Sequence, residues 1–351
     1  MTERMDHELA RVRSGLSGWL TGELGQPVEA GFLEPTPGNG GTGFQAVLDI
    51  GGRSRRVAVR LAAPGVPEVG TNDVRRQERL MRALADRNVP VARVLWSTSD
   101  ARWFGGSAVV VEWVDAKPLH LSRADLSAPA TPAQRPEMVL RAAEVLARLH
   151  RVDAAGLLVD GPGENAADPT AEPRRWLEVL LRLERDQGFE PELVARAREV
   201  GKALVRDAPT GMAWGLLHGD FQTNNILYRD RQPVAVVDWE LALVGPKPLD
   251  VAWLALFGDP SAWAPEHRVG MRVVVEPERV VERYRQAGGA PLHGLGWCRA
   301  LACFRFVVIS LYNLRLHRTG KRDDPAWEGF APSVPYLLDA ALIVRSTRSL
   351  E

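Results

Sequence analysis

Apolar positions recur with a short period in the first third of the chain and a longer one thereafter. Phe44–Ile50 (FQAVLDI) and Arg56–Ala62 (RVAVRLA) are rich in β-branched and apolar residues. They flank Gly51-Gly52, which predicts a hairpin. Val74, Met81 and Leu84 then fall at helical spacing, with Asn72 or Asp73 able to cap the helix and Pro90 to end it. ARVLW and Ser107–Val114 (SAVVVEWV) predict two further strands, and DAKPL turns the chain. From about Pro136 the period lengthens, with Val139, Ala142, Ala143, Leu146 and Leu149 forming an amphipathic stripe. EPRRWLEVLLRLERDQG, after the polar loop DGPGENAADPTAEP, has Pro173 near its start and Gly188 near its stop, the usual asymmetry of helix ends. Short strands NILYR and VAVVDW bracket a turn at DRQP, and the remainder, including LGWCRALACFRFVVISLYNLRL, reads as mostly helical. No internal repeat is visible. The pattern predicts an α+β chain: a small β-rich lobe with one main helix over residues 1–115, joined near Asp115 to a larger helical lobe over 116–351.

Composition narrows the partners. The chain has 351 residues, ample for a sizeable core, with 44 basic and 44 acidic side chains, so no global field draws it to nucleic acid or an anionic membrane. The start, MTERMDHELARVRSG, is too polar for a secretory leader, and the apolar stretch LACFRFVVISLY carries Arg305 and is short for a bilayer. Cys298 and Cys303 have no accompanying His or Cys cluster, which predicts neither disulfide nor zinc. A cytoplasmic globular protein is expected, with neither nucleic acid nor membrane as partner. Lysine occurs only at 117, 202, 247 and 321, an arginine bias of the kind genome base composition produces.

PGNGGTGF places Gly38, Gly40 and Gly43 in a G-x-G-x-x-G arrangement. A dinucleotide fold needs a helix immediately after such a turn, and here a hairpin follows. The context suits a loop folded over phosphates between antiparallel strands, or a surface loop that uses Gly and Asn to turn. If phosphates lie under it, the next strand must offer a cation. No lysine precedes Lys117, so Arg60 is the candidate, its fork able to hold two oxygens. Glu78 shares a helical face with Val74, Met81 and Ala85, and an acid on such a stripe calls for a cationic partner. Arg60 is one choice and Arg82, one turn on, the other.

The strongest chemical signal is HGDFQTNNILY followed by VAVVDWE. Phosphoryl transfer from ATP requires a carboxylate to orient and deprotonate the attacking hydroxyl, and oxygen ligands for magnesium. Asp220 suits the first role; Asn225, five residues on, and the strand-borne Asp238 suit the second.

These motifs resemble the aminoglycoside phosphotransferase family, small-molecule kinases with the bilobal protein-kinase-like fold, which carry H-G-D-x-x-x-x-N and then I/V-D-W/F-E/D. GNGGTGF, which includes Gly41, resembles the family's nucleotide loop, VVVEWV its hinge strand, ARLH the helix end before its substrate region, and GPKPLDVAWL its segment after the metal aspartate. The resemblance runs from about Phe32 to Phe257. It implies Asp220 as catalytic base, Asn225 and Asp238 as Mg²⁺ ligands, and ATP or GTP as co-substrate. It further implies His218 as a brace of the catalytic loop, Glu240 as a group touching metal through water or substrate, and Asp250 as a structural tie behind the loop. The backbones of Glu112 and Val114 would meet the adenine edge. Two features depart from the pattern: Arg60 stands where many members have lysine, and the Pro/Gly-rich LAAPGVPEVG precedes Glu78.

The resemblance implies a small hydroxylated molecule as acceptor. Between Asp153 and Glu199 acids and arginines alternate, without the acidic excess a polycationic antibiotic calls for. Trp297, Phe304, Phe306, Tyr312 and Trp327 are core or the wall of a semi-apolar cleft, so a neutral or hydrophobic acceptor is expected. The FQ after HGD and the ending DWELA resemble a branch of the family that includes domains fused to acyl-CoA dehydrogenases, which hints at hydroxyacyl-type substrates. The competing reading is a catalytically silent nucleotide-binding module of the same fold. A protein kinase is disfavoured, because HGD replaces His-Arg-Asp and no activation segment follows VDWE.

Overall fold

A computed structural model of the protein describes residues 2–36, 43–157, 168–184 and 191–346. Two compact units result: Met1–Ala116 with Ala154–Glu164 and Val234–Ala242, and Lys117–Asp153 with Asn165–Pro233 and Leu243–Glu351.

The first unit opens with α1 (Thr2–Leu24), an element the polar look of the N-terminus concealed. Val12, Leu16, Trp19 and Leu20 form its buried stripe, and Trp19 meets Phe104 edge to face. Gly15 lets the backbones close: a Cβ there would lie 2.7 Å from the Phe104 ring. Strands β1 (Val28–Pro35), β2 (Gly43–Ile50) and β3 (Arg53–Leu61) follow, then α2 (Val74–Ala85), β4 (Val94–Thr98), a single turn α3 (Ala101–Phe104) and β5 (Ala108–Glu112). They make one antiparallel sheet in the order β1-β2-β3-β5-β4. The β2–β3 hairpin turns through Gly51 and Gly52, both at positive φ, where a side chain would be strained. Asp73 caps α2 by accepting the Arg76 N–H.

The second unit contains β6 (Lys117–Pro118), α4 (Arg135–Leu149), α5 (Ala171–Glu184), α6 (Pro191–Arg206), β7 (Trp214–Leu217) and β8 (Ile226–Arg229). The chain then turns through Asp230 and Arg231, both at positive φ, into β9 (Gln232–Val236). From Val234 to Ala242 it belongs to the first unit rather than, as read from sequence, to the second. Hydrogen bonds decide this: the Val236 N–H donates to the Pro90 carbonyl (2.7 Å), and Arg76 donates to the Ala242 carbonyl (2.6 Å). The second unit resumes with β10 (Leu243–Pro246), α7 (Pro248–Leu256), α8 (Pro265–Gly270), α9 (Pro277–Gln286), α10 (Leu295–Arg318) and α11 (Val334–Ser346).

Helix α10 is longer than the apolar stretch suggests. At 24 residues it meets the length and composition of a membrane span, but 72% of its apolar window is buried inside the fold. It packs against α5, α6, α7 and α11, which makes it a core helix. Trp297, Phe304 and Phe306 lie in that core and Tyr312 is exposed, so most of the late aromatic stripe packs the interior. Cys298 and Cys303 are buried and neither is in a disulfide. Gly188 and most of the polar loop before α5 fall outside the described residues.

Candidate active site

In the second unit the predicted catalytic residues lie on the loop that leaves β7. Strand β7 pairs antiparallel with β10, and its apolar residues Leu216 and Leu217 are buried, so the chain emerges from a fixed edge at His218. Gly219 follows at φ +82°, a left-handed bend that favours glycine. The Asp250 carboxylate, buried on the first turn of α7, accepts the backbone N–H groups of His218 (2.7 Å) and Gly219 (3.1 Å). His218 in turn accepts the Asp220 N–H at Nδ1 (3.2 Å) and packs edge-on against Phe221. Burial opposes the charge on Asp250, yet the backbone N–H of His218 favours it, and its pKa lies below the usual value. His150 caps α4, donates or accepts at Tyr284 Oη (2.8 Å) and has Nε2 3.6 Å from Asp250, beyond hydrogen-bond length; burial lowers its pKa and keeps the ring neutral.

Three side chains aim the Asp220 carboxylate. Trp253, three residues beyond Asp250 on α7, donates Nε1–H to it at 2.7 Å. Gln222 donates to both oxygens (2.9 and 3.0 Å), and Asn225 Nδ2 donates at 2.8 Å while also holding the Asp220 carbonyl. Asn224 plays a different part, since its Oδ1 accepts the Leu121 N–H and ties the loop to the chain before α4.

Beside this loop lies a cation. Arg305 of α10 is only 4% exposed, stacked at 4.2 Å on the Trp253 ring and at 5.3 Å on Trp176 of α5. Burial lowers its pKa while Glu172 and Asp220 oppose that shift, and a guanidinium stays charged throughout the physiological range. Each stack stabilises by about 2 kcal/mol when desolvated. Taking a cation out of water costs at least several kcal/mol, so the two stacks offset much of that cost and leave no surplus.

The first unit carries the other predicted groups. Arg60, on β3 with Gly43 opposite it on β2, forms an ion pair with Glu240 (2.5 Å). Gly43 is confined by Thr36, whose side chain a Cβ would strike. Asp238 lies just beyond β9 at φ +65°, a conformation Asp tolerates better than most residues, and it begins the turn Trp239–Leu241. The Trp239 indole, buried, donates to the Val236 carbonyl and fixes that turn. Glu112 ends β5 with its N–H on the Arg93 carbonyl, and Val114 follows with its carbonyl accepting from Ala116.

Residues 34–300 match the phosphotransferase enzyme family, APH. The chain belongs to this family. It is 24% identical to a probable acyl-CoA dehydrogenase, IBR3, of Arabidopsis thaliana, over 78% of this chain and 35% of that protein. It is 25% identical to acyl-CoA dehydrogenase family member 11 of Homo sapiens, over 57% of this chain and 25% of that one. The chain thus spans about a third or less of the length of these curated relatives. Among solved structures it resembles a Ralstonia eutropha protein provisionally named an aminoglycoside phosphotransferase (TM-score 0.72, 19% identity, 94% of this chain and 98% of that one). It also resembles macrolide 2'-phosphotransferase MphH of Brachybacterium faecium (TM-score 0.57, 22% identity, 91% and 96%). The APH fold is α+β and protein-kinase-like, with a small sheet-based lobe and a larger helical one.

Within this APH chain, the structure chooses between the two partners the sequence left open to Glu78. Glu78 does not meet Arg60. It is 4% exposed and accepts from Arg82 at 2.5 Å, with Arg75 at 3.6 Å, because both arginines stand one helical turn away on α2. Arg60 takes Glu240 instead. The structure brings His218, Asp220, Asn225 and Asp250 together in one unit, and Arg60, Gly43 and Glu240 in the other. Gly38, Gly40 and Gly41 lie outside the described residues. Gln222, Trp253 and Arg305 escaped the sequence reading. The i, i+3 spacing of Asp250 and Trp253 in PLDVAW placed both on one helical face and was the available signal for Trp253.

With its Nδ2 committed to Asp220, Asn225 has Oδ1 left, a hard oxygen donor of the kind Mg²⁺ takes alongside phosphates and water.

Proposed function

We propose that the protein transfers the γ-phosphoryl group of ATP, or GTP, to a hydroxyl of a small molecule. The observation that carries this reading is the Asp220 carboxylate, aimed by Trp253, Gln222 and Asn225 on a loop pinned from behind by Asp250. A proton acceptor of a small-molecule kinase needs this orientation, because little covalent chemistry is left for the protein beyond positioning and charge.

Asp220 orients the acceptor hydroxyl and takes its proton. Asn225 and Asp238 would hold Mg²⁺, which when bound neutralises charge on the phosphates. Gly43 and Arg60, opposite each other on β2 and β3, would contact the phosphates, and the backbones of Glu112 and Val114 would receive the base. Glu78 enters through α2 rather than through Arg60, and Glu240 through its pairing with Arg60. His218 and Asp250 are braces. A cytoplasmic setting follows from reaction with nucleotide. The acyl-CoA dehydrogenase names belong to longer proteins, and this chain matches only part of each.

The test is transfer of labelled phosphate from Mg·ATP to a panel of hydroxylated compounds. Asp220→Asn should lose at least about a hundredfold in kcat, the lower range of acid–base contributions, with melting temperature unchanged. An Asp220→Asn variant as active as wild type would remove the carboxylate from the mechanism. Mg·ATP at a thousand times its Kd should stabilise the wild type by about 4 kcal/mol. No shift with ATP or GTP would count against nucleotide use.

A further inference from the structure

We infer that a groove between α4 and α9 binds a small phosphate monoester with a hydroxylated body, the chemistry of a sugar phosphate. The groove lies within the second unit and takes no residue from the loop after β7, so it is a site apart from Asp220. It stands whether or not the protein transfers phosphate.

The groove has a volume of about 550 Å³ and is lined by Glu144, Arg148, Arg151, Arg283, Gln286 and Ala287. That volume exceeds a lone anion and falls in the range of small-molecule sites. Around it, acids and arginines do not balance. Arg283 donates to Glu144 (2.7 Å) and Glu137 (3.1 Å), and Arg141 also faces Glu137 (3.6 Å), so these four offset one another. Arg148 and Arg151 are left without an acid. Arg151 gives Nη1 to the Ala287 and Gly288 carbonyls (2.6 and 3.2 Å), which caps the end of α9 and keeps its other two nitrogens open. Arg148, half-buried in the last turn of α4, makes no hydrogen bond and no ion pair with any described residue. The helix dipole accounts for a cation in that last turn. It does not call for a concave wall, nor for a second arginine fixed beside it by the carbonyls of another helix. Gly288 admits that second arginine: it sits at φ +76°, and a Cβ there would press on Arg151 Nη1 at 3.2 Å.

The two unmatched arginines select the charge of the ligand. A phosphate monoester carries about −1.5 to −2 at pH 7, and its oxygens accept from guanidinium forks in parallel pairs. A carboxylate brings a single charge and leaves one arginine unmatched. The rest of the lining selects the body. Glu144, its charge offset by Arg283, accepts from hydroxyl groups. Gln286 donates to Glu282 (2.8 Å) and keeps its amide oxygen for another donor. Ala287 is the one apolar residue of the lining, so an acyl chain finds little to cover it and a hydroxylated body fits. Concavity favours a small molecule over a phosphorylated protein segment.

The experiment titrates the protein, without nucleotide and at low salt, with glucose 6-phosphate, ribose 5-phosphate and glycerol 3-phosphate by calorimetry. Glucose, inorganic phosphate and a phosphoserine peptide run beside them. At least one ester should bind about tenfold or more tightly than inorganic phosphate, and glucose should not bind. Arg148→Ala should weaken that ester by at least about tenfold, the loss of one hydrogen bond between charged groups. Arg148→Lys, a cation without the fork, should fall between the two. Both variants should melt like wild type, because Arg148 holds nothing within the fold. Asp220→Asn should bind the ester unchanged. Affinity should drop below about pH 6, where the ester loses its second charge. The inference is overturned if none of the three esters binds, if Arg148→Ala binds as wild type does, or if Asp220→Asn abolishes binding. A phosphoserine peptide that outcompetes every ester also overturns it and points to a protein partner. Ester binding through Arg148 with no phosphate transfer to any acceptor leaves the groove standing and the phosphotransfer reading wrong, and transfer without ester binding does the reverse.

Discussion

A carboxylate on a loop swings through several rotamers unless something catches both oxygens. At Asp220 three N–H donors from Trp253, Gln222 and Asn225 do so, and two more N–H groups, of His218 and Gly219, anchor the loop on Asp250. Hydrogen bonds to a charged group are each worth about 1.5–3 kcal/mol. Trp253→Phe keeps the aromatic face for Arg305 and deletes one donor to Asp220. We expect kcat to fall by roughly ten- to a hundredfold at little cost in melting temperature, measured by steady-state kinetics and thermal melts on the same preparation. Unchanged kcat would show that Trp253 serves packing alone. At this scale the pairing of Asp220 with Asn225 follows from local spacing within one loop. The partner of Glu78 stayed open between Arg60 and Arg82, because a helix face shared with Val74 and Met81 says nothing about which arginine arrives first.

Elements follow local rules closely where the rule is strong. Gly51-Gly52 between two β-branched runs gave the β2–β3 hairpin with both glycines at positive φ, and the capping pair before Val74 resolved to Asp73. Removing that cap should cost α2 about 1 kcal/mol. Asp73→Ala should therefore lower the denaturant midpoint at an unchanged slope, and an identical midpoint would mean that the Arg76 N–H finds another acceptor. Weaker rules failed. Helix α1 was hidden by its charged start, although Val12, Leu16, Trp19 and Leu20 carry a helical stripe, and β1 was not anticipated either. Val234–Ala242 reads as a strand and a turn, but nothing in its composition says that Pro90 and Arg76 will receive it.

Across the whole molecule, one buried and two half-buried histidines set the response to acid. His150 is held neutral by burial, as is His267, and His120 by burial and by Arg123 and Arg272. Their folded pKa values lie below about 6.5, the value of the unfolded chain. The unfolded state then binds more protons as pH falls below about 6.5, so stability is fully present above that pH and declines below it. Asp250 adds a second loss at lower pH: its folded pKa is depressed, so its contribution is present above about 3.9 and disappears as pH falls through the folded value. Melting temperature should be level above pH 7 and fall below 6.5, with a shallower slope in His150→Gln. An equal slope in that variant would show that His150 titrates alike in both states.

Sequence periodicity and short motifs determined much here: the β2–β3 hairpin, the helical remainder and the loop that follows His-Gly-Asp. All of these depend on residues a few positions apart, where backbone geometry leaves few choices. Tertiary structure alone decided that Glu240 would meet Arg60, that Trp253 would aim Asp220, and that Arg305 would be buried on two tryptophans without an acid. Those outcomes join residues tens to nearly two hundred positions apart. Packing of whole elements, which no local pattern encodes, brings such residues together.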